Sequence, residues 1–245
     1  MRKQSMALDN TQKFQQLAES LVSPAGMQLR ERLWVERLIK RLIDLMIALF
    51  IVVVGFPFFL AIALLIKLTS KGPVFFSQQR IGEEGEEFTL FKFRTMRQNA
   101  DDSIHREFTR NFIEGRISNS SLDVKAPSVY KLTNDPRITA IGSFLRKTSL
   151  DEFPQFLNVL KGEMTIVGPR PPLHYELELY EDWHKLRLKV RPGLTGLWQV
   201  SGRSSVSFNE MVKLDLYYIE HWSLIMDFRI MARTIPVMLF GSGGY

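Results

Sequence analysis

The chain has 245 residues, 45% of them hydrophobic, which is enough for one substantial domain with accessory segments. Its formal charge of +6 suits anionic partners such as phospholipid headgroups, nucleotides and phosphorylated lipids. It contains no cysteine, which excludes disulfides, thiolate nucleophiles and Cys-ligated zinc or iron–sulfur sites.

Residues 1–29 are mixed and polar and read as a loose extension or one short amphipathic helix. From Glu31 to Asp44, charged residues interleave with Leu, Ile, Trp and Val, a helical approach to a membrane with Trp34 at the interface. Leu45 to Ile66 then holds 22 uncharged residues, with Pro57 inside. As a straight helix this run would be about 33 Å long, enough for a hydrocarbon layer of roughly 30 Å. Both flanks are basic: Arg37, Lys40 and Arg41 precede it, and Lys67 and Lys71 follow. Positive-inside reasoning keeps both ends on the cytoplasmic side. A break at Pro57 would leave arms of about 24 Å and about 15 Å, neither able to cross alone. The pattern leaves open a re-entrant hairpin, a plain span with a repaired proline, a buried soluble helix and a secretion signal. The last is weakened because no small-residue cleavage site follows.

After Gly72-Pro73, Val74–Phe76 and Phe88–Thr95 read as short strands joined by a hairpin turn over Gly82–Glu87. Residues 98–135 are polar, helical around Asp101–Glu114 and loop-like from Gly115 to Pro127; their length predicts a mobile cover or insertion rather than core. Ile141–Lys147 leads to a helix capped by Thr148 or Ser149, with Asp151 and Glu152 in its first turn and Gly162 as its stop. Gly168-Pro169-Arg170-Pro171-Pro172 is a rigid extended turn. A helix over His174–Leu186, a strand over Lys185–Arg191 and a turn plus short strand over Leu194–Arg203 follow. Phe208–His221 is helical, and Trp222–Phe240 suits an amphipathic helix lying on membrane or core.

The candidate chemistry centres on Asp151 and Glu152. Adjacent residues do not share a helix face, but near a helix start both lie beside exposed donors that also attract phosphate. A carboxylate attacks a diphosphate only if cations neutralise the repulsion, so Arg146, Arg170 and a divalent metal would be fitting company. The bland alternative is a charged first turn with surface ion pairs. Arg170 has glycine and proline neighbours that lower the cost of ordering it against phosphate. Arg191 before Pro192-Gly193 and Arg203 after Gly202 repeat that theme. The four histidines are too scattered for a metal site, and no Gly-x-Gly-x-x-Gly or Walker loop occurs. The basic residues form no polar stripe, which argues against nucleic acid.

Several blocks carry a family resemblance: Phe91–Met96, Thr133–Thr139, Arg146–Gln155, Gly162-Glu163-Met164, Val167–Pro171 and Val190–Gly196. In that order they resemble the bacterial sugar transferases, the monotopic phosphoglycosyl transferases, from about Glu36 to Phe240. The resemblance implies an α+β protein with a re-entrant membrane helix broken near Pro57, interfacial amphipathic helices and a compact cytoplasmic domain with a small β-hairpin. It divides the chain into an extension (1–35), the membrane helix (36–71) and the transferase domain (72–245). Small family members often have Ser before the proline; here it is Phe56. Larger relatives prepend spanning helices, which residues 1–35 are too short to supply, so a catalytic core with a short extension is expected.

The implied reaction moves a hexose 1-phosphate from a UDP-sugar to undecaprenyl phosphate, releasing UMP as the first step of surface glycan assembly. Asp151 would be the nucleophile and Glu152 a catalytic partner, the two holding Mg²⁺; Arg146, Arg170, Arg191 and Arg203 would contact phosphate or nucleotide. Phospholipid and a homodimeric partner are expected, at the cytoplasmic face of the inner membrane. A non-catalytic scaffold in glycan assembly and a UDP-releasing glycosyltransferase are the alternatives, and the nucleotide product separates them. The blocks look closer to glucose- or galactose-phosphate members than to bacillosamine-type enzymes.

Overall fold

The computed structural model describes residues 34–97, 103–116, 137–201 and 206–240. The N-terminal extension, the loop expected over Gly115–Pro127 (apart from its first two residues), most of the Thr133–Thr139 block and Arg203 lie outside them.

Helix α1 runs from Trp34 to Thr69 with Pro57 inside it. Among the described residues it alone is long and apolar enough to cross a membrane. Pro57 cannot donate to the carbonyl one turn back, yet helical backbone continues on both sides, so the chain does not part into two separate helices there. Around the proline the helix is bare: Leu49, Phe50, Val53, Val54, Phe56 and Phe58 are all more than half exposed. That concentration of uncovered apolar surface belongs in lipid, and the protein associates with a membrane.

The two ends of α1 are built into the folded body. Lys40 donates to the Val167 carbonyl (3.0 Å) and to Asp227 (2.7 Å). Arg41 donates to the carbonyls of Val159 and Leu160 in the last turn of a helix. Asp44, buried, accepts from the Thr165 hydroxyl and the Ile166 N–H. Beyond the proline, Ile62 and Ile66 pack on Phe93 and Leu145, and Arg94 donates to the Ser70 carbonyl.

Strands β1 (Phe75–Ile81) and β2 (Glu87–Phe93) form an antiparallel hairpin, closed by a short 3₁₀ turn at Glu83–Gly85. The first strand is longer than expected and continues through Ser77-Gln78-Gln79. Register places Phe76 opposite Lys92, Gln78 opposite Leu90 and Arg80 opposite Phe88, so these side chains share one face. Phe88 and Leu90 enter a core with Ala48, Val159, Met164, Ile166, Tyr218 and Ile230. A second pair of short strands, β3 (Thr165–Val167) and β4 (Gly193–Thr195), runs parallel. Helices with small sheets make the α+β class expected from the sequence.

Helix α2 (Ser103–Ile113) corrects the reading of its region as a mobile cover: Phe112 and Ile113 are buried against Phe208, Met211, Val212 and Tyr180. Helix α3 (Ala140–Lys147) is capped by the Thr139 hydroxyl, which accepts from Gly142 N–H. Helix α4 covers Gln155–Lys161 and ends at Gly162, whose φ of 89° is the left-handed stop expected there. The single helix expected over His174–Leu186 is two, α5 (His174–Leu177) and α6 (Asp182–Lys185), the second opened by the Glu181 N–H donating to His184 Nδ1. The strand expected over Lys185–Arg191 is a 3₁₀ turn at Leu186–Lys189, because Arg187 turns inward to a buried pair with Asp215. Helices α7 (Leu197–Ser201), α8 (Phe208–Glu220) and α9 (Leu224–Phe240) complete the body. Along α9, Asp227 and Ile230 face inward while Ile225, Phe228 and Ile235 stay exposed.

Candidate active site

The acidic pair does lie in a first turn with Ser149 at its N-cap position, as expected, but that turn is a single 3₁₀ turn and not the start of a helix that runs on to Gly162. Thr148 turns its hydroxyl back to the Phe144 carbonyl (2.9 Å). Ser149 takes a left-handed φ of 56°, uncommon for a residue with a side chain. Leu150–Glu152 make one 3₁₀ turn, and α4 begins only after Pro154. Proline is best placed at a helix start, because deeper in it lacks the N–H the helix needs and crowds the preceding turn. The sequence therefore places Asp151 and Glu152 on a tight connection between two helices.

Asp151 is 7% exposed, and its Oδ1 has no hydrogen-bond partner. Burial is the larger influence on this carboxyl; Lys92 and Arg146 oppose it, Glu152 adds to it, and the outcome is pushed up to about 6. A carboxylate oxygen stripped of both water and donors is more basic and more nucleophilic than one in solvent. Glu152 behaves oppositely. Burial would raise it, but Lys92 and then Arg170 outweigh burial and hold it below the ordinary carboxylate range. Lys92 Nζ is 2.6 Å from Glu152 Oε1, and Arg170 Nη1 is 3.9 Å from the same oxygen. Two neighbouring carboxyls are thus pushed apart, one toward neutral pH and one kept charged.

Lys92 is a site residue that the sequence reading does not single out. A signal for it exists: it alternates with Phe88 and Leu90 on the inward face of β2, where a lysine needs a partner. Asn158 fixes that strand, its Nδ2 donating to the Thr89 carbonyl and its Oδ1 accepting from the Phe91 N–H. Arg170 comes from the proline-rich segment that leaves β3. Gly168 and Gly193 touch there so closely that a Cβ on Gly193 would lie 2.1 Å from the Gly168 nitrogen.

Of the expected residues, Asp151, Glu152 and Arg170 come together, and Arg146 at the end of α3 acts electrostatically on Asp151. Arg191 is directed elsewhere: it pairs with Glu83 in the hairpin turn at 3.1 Å. Among the described residues no cluster of three or more His, Asp or Glu could hold a metal. Magnesium, however, is commonly held by one or two carboxylates with substrate phosphates and water completing the shell. The unpartnered Asp151 oxygen and the neighbouring Glu152 fit that smaller requirement.

A buried carboxyl opposed by lysine and arginines, next to a helix that belongs in lipid, defines a membrane protein that handles phosphate groups. Comparison with known proteins makes the class specific. Residues 35–241 match the bacterial sugar transferase family, and the chain belongs to it as a phosphoglycosyl-transferase enzyme. It is 43% identical over 206 residues to the exopolysaccharide production protein ExoY of Sinorhizobium fredii, covering 84% of this chain and 88% of that one. It is 41% identical over 210 residues to the undecaprenyl-phosphate galactose phosphotransferase of Salmonella typhimurium, covering 85% of this chain and 42% of the relative. It is 38% identical over 209 residues to the UDP-glucose:undecaprenyl-phosphate glucose-1-phosphate transferase of Escherichia coli, covering 82% and 40%.

Proposed function

We propose that this protein transfers a hexose 1-phosphate from a UDP-sugar to undecaprenyl phosphate in two displacements, opening the assembly of a surface glycan. The carboxylate of Asp151 attacks the sugar-linked phosphorus of the donor. The bond from that phosphorus to the bridging oxygen breaks, and UMP departs with the electron pair. An oxygen of the lipid phosphate then attacks the phosphosugar on Asp151, restoring the carboxylate and forming undecaprenyl-diphosphate sugar. Arg170 and Lys92 offset the negative charge of donor and acid turn, and Arg146 does so from the α3 side. Glu152, held charged, orients Lys92 and would hold Mg²⁺ together with Asp151. Bound magnesium would neutralise the diphosphate and the charge developing on UMP.

One observation carries this reading above the others: a buried carboxylate oxygen at Asp151 that no donor among the described residues satisfies. The names of the Salmonella and Escherichia relatives supply the substrate class. We further read α1 as re-entrant, bending at Pro57 within one leaflet at the cytoplasmic face of the inner membrane. That topology is supported by the single folded body that holds Lys40, Arg41 and Asp44 before the proline and Ile62, Ile66 and Ser70 after it. Exposed Ile225, Phe228 and Ile235 give α9 an apolar face for the same lipid surface.

The test is a panel of UDP-hexoses with undecaprenyl phosphate and magnesium, scored for nucleotide product and, without acceptor, for intact mass. UMP release and a phosphohexose adduct on Asp151 are expected. Release of UDP, or UMP release without an adduct, would overturn the mechanism.

A further inference from the structure

The segment that carries Arg170 is held in an unusual way. Pro169, Pro171 and Pro172 have no N–H, so it cannot join a sheet by donating. Instead each of four consecutive carbonyls accepts from a different group. Pro169 O takes the Gly193 N–H at 2.8 Å, and Pro172 O takes the Ile81 N–H at 3.0 Å. Between them, Arg170 O takes Arg187 Nη2 at 3.4 Å, and Pro171 O takes Arg80 Nη1 at 3.0 Å. The peptide units that set where the Arg170 side chain departs are therefore fixed by two buried arginines.

The two are not equivalent. Arg187 is neutralised by Asp215. Arg80 is 7% exposed, gives Nη2 to the neutral Gln78 amide oxygen at 2.8 Å, leaves Nε without a partner and makes no ion pair among the described residues. Burial, and then the charge of Arg170, lower its pKa to about 10, so it remains a cation at neutral pH. A buried cation with no ion-pair partner in contact is costly; the charges of Glu176 and Glu152 offset part of that cost, and repulsion from Arg170 adds to it. An anion arriving at Arg170 relieves both.

We propose that Arg80 is a positioning residue for donor binding: it fixes the Pro171 carbonyl, and through it Arg170, while its buried positive charge favours the phosphates of a nucleoside diphosphate at Arg170 without touching them. This rests on the reading of Arg170 as a phosphate contact.

The probe is UDP, titrated calorimetrically with magnesium against the full chain in detergent micelles. Arg80→Met is expected to weaken UDP binding about tenfold, and Arg80→Lys, which keeps charge but loses the fork, less. In an Arg170→Ala background the same Arg80→Met change should cost less than about twofold, because coupled residues are not additive. Gln78→Leu removes one anchor of the fork and nothing else, so it gives a second cycle should Arg80→Met not fold. It is expected to weaken UDP about threefold, again only when Arg170 is present. Equal losses with and without Arg170, or unchanged UDP affinity in the Arg80 variants, would overturn the proposal. UMP release is followed in parallel. Coupling without UMP formation would sink the proposed reaction alone, whereas additive losses in an enzyme that releases UMP would sink the positioning role alone.

Discussion

Replacing Asp151 by Asn removes a charge that the folded protein holds at a cost. Burial, with help from Glu152, carries this carboxyl from 3.8 to about 6, against the pull of Lys92 and Arg146. Between those two values the folded chain binds more protons than the unfolded one, so stability falls as pH rises through the window. Above about pH 6 the penalty is complete and amounts to at most about 3 kcal/mol. Asp151→Asn should therefore abolish phosphosugar transfer and, at pH 7.5, raise the unfolding midpoint by several degrees. Near pH 4 most of that difference should be gone, because the wild-type carboxyl is then protonated in the folded state and partly so in the unfolded one. Thermal denaturation in detergent at both values, alongside UMP release, reads this directly. A variant that turns over normally would remove Asp151 as nucleophile. An inactive variant whose stability advantage was the same at both pH values would refute the electrostatic account of the site. The same ionisation predicts that wild-type turnover declines as pH falls through about 6.

Lys92→Met leaves Glu152 buried without its closest cation, so a loss of about 3 kcal/mol in stability and at least a tenfold loss of turnover are expected; an unchanged melting point would show the pair to be dispensable. Asp44→Ala deprives the Thr165 hydroxyl and the Ile166 N–H of their acceptor and should cost about 1–3 kcal/mol, measured as a fall in unfolding midpoint. Gly193→Ala would drive a Cβ to 2.1 Å from the Gly168 nitrogen, so the protein should fail to fold or lose UDP binding as the Arg170 segment shifts. Recovery of native affinity in that variant would contradict the close approach.

The membrane helix is legible in the sequence because 22 successive residues without a charge leave no polar face to turn toward water. The hairpin is legible from alternating aromatics, but not its length, since Ser77-Gln78-Gln79 has no apolar residue to mark a strand and is held as strand by its partner. Asp151 and Glu152 are identifiable by residue type, while their backbone is not: Pro154 delays the helix, and that one residue outweighs the caps before it. The alternation over Lys185–Arg191 has the period of a strand, yet Arg187 is claimed by Asp215, a partner 28 positions away that no local pattern reveals. Arg80 and Lys92 escape a local reading for a related reason. Lysine and arginine default to the surface in such a reading; the alternation of Lys92 with Phe88 and Leu90 hints otherwise, and the register of β1 on β2 places Arg80 on the same face.

The anchoring of α1 bears on how this enzyme can be handled. Lys40, Arg41 and Asp44 satisfy polar groups on β3, α4 and α9, and Ala48 fills the space between them. Trimming the chain to begin after residue 70, the obvious route to a water-soluble fragment, would take Lys40 from Asp227 and Arg41 from the end of α4, and would remove the Ile62 and Ile66 packing under Leu150 and Phe153. The greasy segment is a girder of the enzyme as much as its mooring, and detergent or nanodisc preparations of the intact chain are the ones expected to retain activity.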